Sequence, residues 1–119
     1  DQGPKDKAFL PMADAVSSIV ATLQSIHDTL LARATAFRDA NTVEVDSMDA
    51  LKAFFASETD GGFALAHWAG SPEDEDALAK ELKITVRCIP NDPALRGGPG
   101  TCIGTGQTAE GRVVFAKAY

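Results

Sequence analysis

Cysteine is nearly absent from this sequence: Cys88 and Cys102 are the only two in 119 residues. Two thiols are too few for the disulfide framework of a small secreted domain and suit a reducing compartment. A single bridge between them is compatible with the count. Basic residues are also scarce, with 11 Lys and Arg against 17 Asp and Glu, giving a net charge of -6 and a pI near 4.7. Tight binding to nucleic acid draws on a basic surface that displaces counterions from phosphates. The chain as a whole has no such surface, which disfavours direct tight contact with RNA or DNA. No apolar run approaches the roughly 18 residues that a membrane span needs. There is no starting methionine, and the polar opening Asp1–Lys7 is unlike a signal peptide. The expectation is a cytoplasmic piece of a longer protein, with no membrane partner.

What is present is ordinary for a globular chain: 45% hydrophobic residues and a mean hydropathy of -0.07. The length fits one domain, and such a domain buries roughly two thirds of its unfolded surface. The pivot is Ile84–Pro90, where Ile84, Val86 and Cys88 alternate with Thr85 and Arg87. A period of two marks a half-buried strand. A second β-rich run, Arg112–Ala118, follows a Gly/Pro-rich loop, and the two runs are expected to pair. Cys88 then reads as a small buried apolar residue.

Residues 1–11 read as a linker or arm. From Met12 to Asp39 the pattern is helical, with Val16, Ile19, Val20, Leu23, Ile26, Leu30, Leu31, Ala34 and Phe37 on one stripe and Asn41 as its stop. His27 at the edge of the stripe is a surface histidine, having no second His or Cys three or four residues away. Thr42–Val45 is β-prone. Asp46 or Ser47 caps a helix that buries Leu51, Phe54 and Phe55. Phe63–Trp68 is a strand with both faces mostly apolar, and His67 is read as a packed sheet residue rather than a catalytic base. Ser71-Pro72-Glu73-Asp74 is a helix start, with Ser71 as cap and Asp74 completing the box. Its acidic run is a dipole-matched first turn rather than a metal site. Ala77, Leu78 and Leu82 are expected to face inward. Residues 91–111 hold six of the ten glycines. A structureless loop of that length is uncommon and calls for a function. A phosphate cradle is disfavoured, because no Gly-Lys-Ser/Thr follows and no helix pattern comes after it.

Four stretches carry a resemblance: Ala36-Phe37-Arg38-Asp39-Ala40-Asn41-Thr42, then Gly61-Gly62-Phe63 with Ala66-His67-Trp68, then Thr85-Val86-Arg87-Cys88-Ile89-Pro90, then Arg112-Val113-Val114-Phe115-Ala116-Lys117-Ala118-Tyr119. In order and spacing they resemble the C-terminal domain of prolyl-tRNA synthetases of the archaeal and eukaryotic type. The resemblance implies an α+β fold: a helical lead-in over residues 12–41, then a two-layer β-α-β-α-β-β domain over 42–119 like the C-terminal fold of translation initiation factor three. It also implies a zinc loop over 91–111. The family's four cysteine ligands map onto Ala69, Asp74, Cys102 and Thr105, of which only Cys102 is a cysteine. The expectation is therefore a domain without zinc, its former ligand loop loosened by Gly104 and Gly106. A rescued set of His67, Asp74 and Cys102 is the alternative. The parent enzyme implied by the resemblance ligates proline to tRNA with ATP and Mg²⁺ as a homodimer. Its catalytic and anticodon-binding domains are the implied partners of this piece, and tRNA is met through them. None of the catalytic motifs falls in these residues, so the chain alone is expected to be inactive and structural. By the same resemblance Tyr119 reaches towards the active-site region. The rival readings are a free-standing module that docks a protein through the long helix, or an RNA-binding domain of the same fold.

Overall fold

The structure, a computed structural model, describes residues 7, 9–56 and 61–117. Most of the expected arm over residues 1–11, and Tyr119 with it, lie outside the described residues. The chain divides into two units, Asp1–Ala40 and Asn41–Tyr119.

In the first unit, Pro11 precedes a 3₁₀ turn at Met12–Asp14, and helix α1 follows at Ala15–Ala40. At 1.5 Å per residue the 26-residue helix is about 39 Å long. Arg38 stands in the last turn, where the helix dipole favours a cation. The apolar stripe expected from the spacing is present, and its large members from Val16 to Phe37 are between 43% and 74% exposed.

The second unit is built on a four-stranded sheet. The elements are β1 (Thr42–Glu44), α2 (Met48–Ala56), β2 (Phe63–His67), α3 (Pro72–Leu82), β3 (Ile84–Cys88), α4 (Pro93–Arg96), β4 (Gly100–Thr101), β5 (Thr108–Ala109) and β6 (Arg112–Lys117). The sheet order is β1-β2-β6-β3, while β4 and β5 form a separate hairpin. β1 and β2 are parallel, joined through α2. β6 enters between β2 and β3 and runs antiparallel to both. The two β runs expected to pair do pair, with Ile84 opposite Lys117 and Val86 opposite Phe115.

Local chemistry sets the helix starts. Ser47 Oγ accepts from Ala50 N at 3.3 Å at the head of α2. At α3 the capping box is complete: Ser71 Oγ accepts from Asp74 N, and the Asp74 carboxylate accepts from Ser71 N at 2.8 Å. Leu78 is buried and Leu82 half-buried, but Ala77 faces out, contrary to expectation. Period two on β2 and β6 puts Ala64, Ala66, Val113 and Phe115 on one sheet face, where Leu51 and Phe55 of α2 and Leu78 of α3 cover them. The two alanines let the helices approach closely, while Phe115 fills the centre. Leu65, on the other face of β2, is also buried, so the middle of this strand is covered on both sides, as its composition implied.

Two further expectations change. Cys88 is exposed rather than buried. The register shifts between Val86 and Cys88, so Cys88 faces Val114 instead of Val113. One extra residue in a strand turns the residues beyond it onto the opposite face. The loop over 91–111 is not structureless either: α4 and the β4–β5 hairpin account for much of it. Asp92 caps α4 by accepting from Ala94 N at 2.9 Å.

Candidate functional site

The tip of the β4–β5 hairpin is a tight knuckle around Cys102. Cys102 N donates to Gln107 O at 2.8 Å, and Gly106 N donates back to Cys102 O at 3.0 Å. Ile103 N donates to His67 O at 3.0 Å, which ties the knuckle to the end of β2. Cys102 is 2% exposed. Its Sγ accepts from Ala69 N at 3.2 Å and from Thr105 N at 3.5 Å. Three of the four mapped ligand positions, Ala69, Cys102 and Thr105, therefore converge on one sulfur. The fourth does not join them, since Asp74 is engaged at the α3 cap with Ser71 N and Ser71 Oγ. The expected loose loop is instead a hydrogen-bonded turn.

Trp68 closes the knuckle from the side. Its indole meets Phe115 edge to face, with centroids 5.5 Å apart, and Trp68 Nε1 donates to Glu75 Oε1 at 3.3 Å. A Cβ on Gly104 would stand 2.6 Å from the Trp68 ring, so this turn position requires glycine. The indole thus links the sheet core to the hairpin tip. Sequence reasoning missed this role. The signal was the pair of glycines, Gly70 and Gly104, set to flank a single large ring.

Burial acts most strongly on Cys102 and pushes its thiol up, because a thiolate there loses water. The Thr105 hydroxyl and the N–H groups of Thr105, Ala69 and Gly104 oppose it and together leave the pKa below its ordinary value of 9.0. A depressed pKa means that the folded state releases this proton earlier than the unfolded chain. Its stabilisation therefore grows as pH rises through the folded pKa, is complete above the unfolded one, and is lost as pH falls back. The urea midpoint of the natural chain is expected to rise relative to Cys102→Ser between about pH 7 and about pH 9.5. A gap that stays constant or narrows would contradict this electrostatics.

His67 Nε2–H donates to Gly98 O at 3.0 Å, and its ring packs against Gly100. It is the hydrogen-bonded sheet residue that was expected. Among the described residues no three His, Cys, Asp or Glu side chains stand close enough to share an ion, and the set of His67, Asp74 and Cys102 is not assembled. His27 sits beside Asp28 on the surface of α1. Both cysteines are free.

Residues 51–119 match the family described as prolyl-tRNA synthetase, C-terminal. The chain belongs to that family. As a prolyl-tRNA synthetase C-terminal domain it has relatives across its whole length. Proline–tRNA ligase 2 of Anaeromyxobacter dehalogenans is 43% identical over 129 residues, which cover 100% of this chain and 25% of that protein. The proline–tRNA ligase of Akkermansia muciniphila is 40% identical over 119 residues, covering 100% of this chain and 24% of its own. The chain thus spans about a quarter of the length of these relatives. Among solved structures, the prolyl-tRNA synthetase of Cryptosporidium parvum complexed with L-proline and AMP superposes with a TM-score of 0.74 at 22% identity, over 96% of this chain and 24% of that one. At that identity the likeness speaks for the fold alone.

The zinc that the family resemblance implies can be tested against the side chains present. Structural zinc takes four N, S or O ligands in a tetrahedron, usually with several thiolates. Here Ala69 has no donor, Thr105 offers an alcohol, Asp74 is committed to its helix cap and Cys102 is the lone thiol. This set does not fit a structural zinc.

Proposed function

We propose that this domain is the C-terminal appendage of a proline–tRNA ligase of the archaeal and eukaryotic type, with a sheet related to that of the translation initiation factor three C-terminal domain, and that it supports the enzyme without a metal. The observation that carries the reading is the family match over residues 51–119, taken with the knuckle whose Cys102 is held by backbone N–H groups and flanked by Trp68. ATP, Mg²⁺ and tRNA belong to the catalytic and anticodon-binding domains of a homodimeric, cytoplasmic parent. The exposed apolar stripe of α1 supports docking of the lead-in on those domains. The net charge of -6 speaks against an RNA-binding role for the chain itself.

Removing residues 42–119 from the parent enzyme is expected to slow prolylation of tRNA substantially. The chain expressed alone is expected to show no proline-dependent ATP–pyrophosphate exchange. Deleting Tyr119 alone is expected to slow prolylation as well. A truncated enzyme that keeps its full rate would remove the supporting role.

A further inference from the structure

The carboxyl ends of β2 and β3 open onto a cleft of about 250 Å³. Trp68 follows β2, Ile89 follows β3, and Arg96, Ala109, Arg112 and Val113 stand around the same space. Ile89 is 57% exposed, so the apolar wall is open to solvent.

The two arginines are placed by a reciprocal clasp. A Cβ on Gly111 would stand 2.8 Å from Arg96 Cγ, and one on Gly97 would stand 3.3 Å from the Arg112 guanidinium carbon. Each glycine leaves room for the arginine next to the other. Gly97 also needs its freedom, with φ at 64°. The arginines are not saturated by their present partners. Arg96 meets Glu110 only at 3.7 Å, beyond hydrogen-bond reach, and the Glu110 side chain is 95% exposed. Arg112 meets Glu44 at 2.6 Å through one guanidinium nitrogen, and the Glu44 side chain is 63% exposed. A guanidinium has further N–H donors in a fork that matches a carboxylate. In a chain with an excess of acidic residues, two such groups beside an indole and an exposed isoleucine form a distinct local chemistry.

We propose that this cleft binds a carboxylate carried on a small apolar body, either a free organic acid or the last residue of a peptide. The guanidinium groups take the carboxylate, while Trp68 and Ile89 receive the body. A strongly hydrated inorganic anion gains nothing from those walls. This binding does not depend on the supporting role proposed for the domain.

Trp68 is the sole tryptophan, so its fluorescence reports occupancy directly. Titrating the chain at low salt with 3-phenylpropionate is expected to give a saturable change, with a Kd on the order of 1 mM for so small a ligand. The corresponding amide and inorganic phosphate are expected to bind at least about 10-fold more weakly. Arg96→Gln and Arg112→Gln are each expected to weaken binding by about 10-fold or more. Arg96 makes no close ion pair, so its variant separates loss of binding from loss of folding. An acetylated dipeptide ending in a free Phe carboxylate, compared with the same peptide amidated, distinguishes the two sources. Tighter binding than 3-phenylpropionate assigns the cleft to a chain terminus, and weaker binding assigns it to a free acid. Absence of saturation, equal binding of the amide or of phosphate, or unchanged affinity in both arginine variants would overturn the proposal.

Discussion

Replacing Phe115 by alanine is expected to cost the second unit about 3–5 kcal/mol, the range for removing a large aromatic from a packed core. The side chain is fully buried on an inner strand of the sheet. Its cross-strand neighbours are Ala64 on β2 and Val86 on β3. Ala64 is too short to fill the space the ring would leave, and Leu51 and Phe55 are held by the backbone of α2. The cavity would persist, so its cost adds to the lost transfer energy. Phe115 is also the edge-to-face partner of Trp68, so the damage would extend to the Cys102 knuckle. Domains of this size have a total stability of about 5–15 kcal/mol, so the variant should lose a large share of it. Urea denaturation followed by far-ultraviolet circular dichroism measures the loss. Val114→Ala is the control: it lies next in sequence, on the opposite face and half-buried. It is expected to cost about 1 kcal/mol, near the centre of the distribution for point variants. Equal losses at the two positions would show that the core is not where the structure puts it.

Much of this fold was legible because local and long-range preferences agree. The apolar run Phe63–His67, the alternation in Ile84–Val86, the Ser71–Asp74 box and the long apolar stripe each point to the element that forms. The misreadings have a common cause in interactions between distant residues. Cys88 alternates properly in sequence, but the bulge that turns it outward is a property of its pairing with β6. Ala77 stands next to Leu78 in α3, yet it is exposed while Leu78 is buried. The glycines of 91–111 suggest a loose loop, because nothing local reveals that Cys102 N will find Gln107 O or that Ile103 N will find His67 O. At the knuckle, Ala69 and Thr105 were identified as positions through family resemblance, and their backbone N–H groups, not their side chains, meet the sulfur. The cleft was out of reach altogether. Arg96-Gly97 and Gly111-Arg112 are mirror-ordered pairs in the chain, and only the hairpin between them brings each arginine over the other's glycine.

Chelation is expected to leave the thermal midpoint of the natural chain unchanged, whereas a variant carrying Ala69→Cys, Asp74→Cys and Thr105→Cys should become strongly zinc-dependent. The backbone at positions 69 and 105 already lies against Cys102 Sγ, at 3.2 and 3.5 Å through their N–H groups, so the two thiols added there would start close to the existing one, and the third would have to come from the α3 cap. Asp74 Oδ2 is bonded to Ser71, and its replacement would give up the α3 capping box, a loss of about 1 kcal/mol. Against that, free zinc at about 1,000 times its dissociation constant contributes about 4 kcal/mol to the folded state. For a domain of this size each kcal/mol moves the midpoint by about 4–8 °C. The net rise with zinc should therefore be at least about 10 °C, and a chelator should abolish it. In the natural chain the same positions supply one thiol, one alcohol and one carboxylate that is held in the α3 cap, while backbone hydrogen bonds and the Trp68 ring hold the turn. A fall of several degrees when the natural chain is treated with chelator would mean that an ion is part of its fold, and the metal-free reading would fail. If the variant took up no zinc, the backbone at these positions would be wrongly placed for a tetrahedral site. The loop would then be arranged differently from one that can close a four-thiol zinc site.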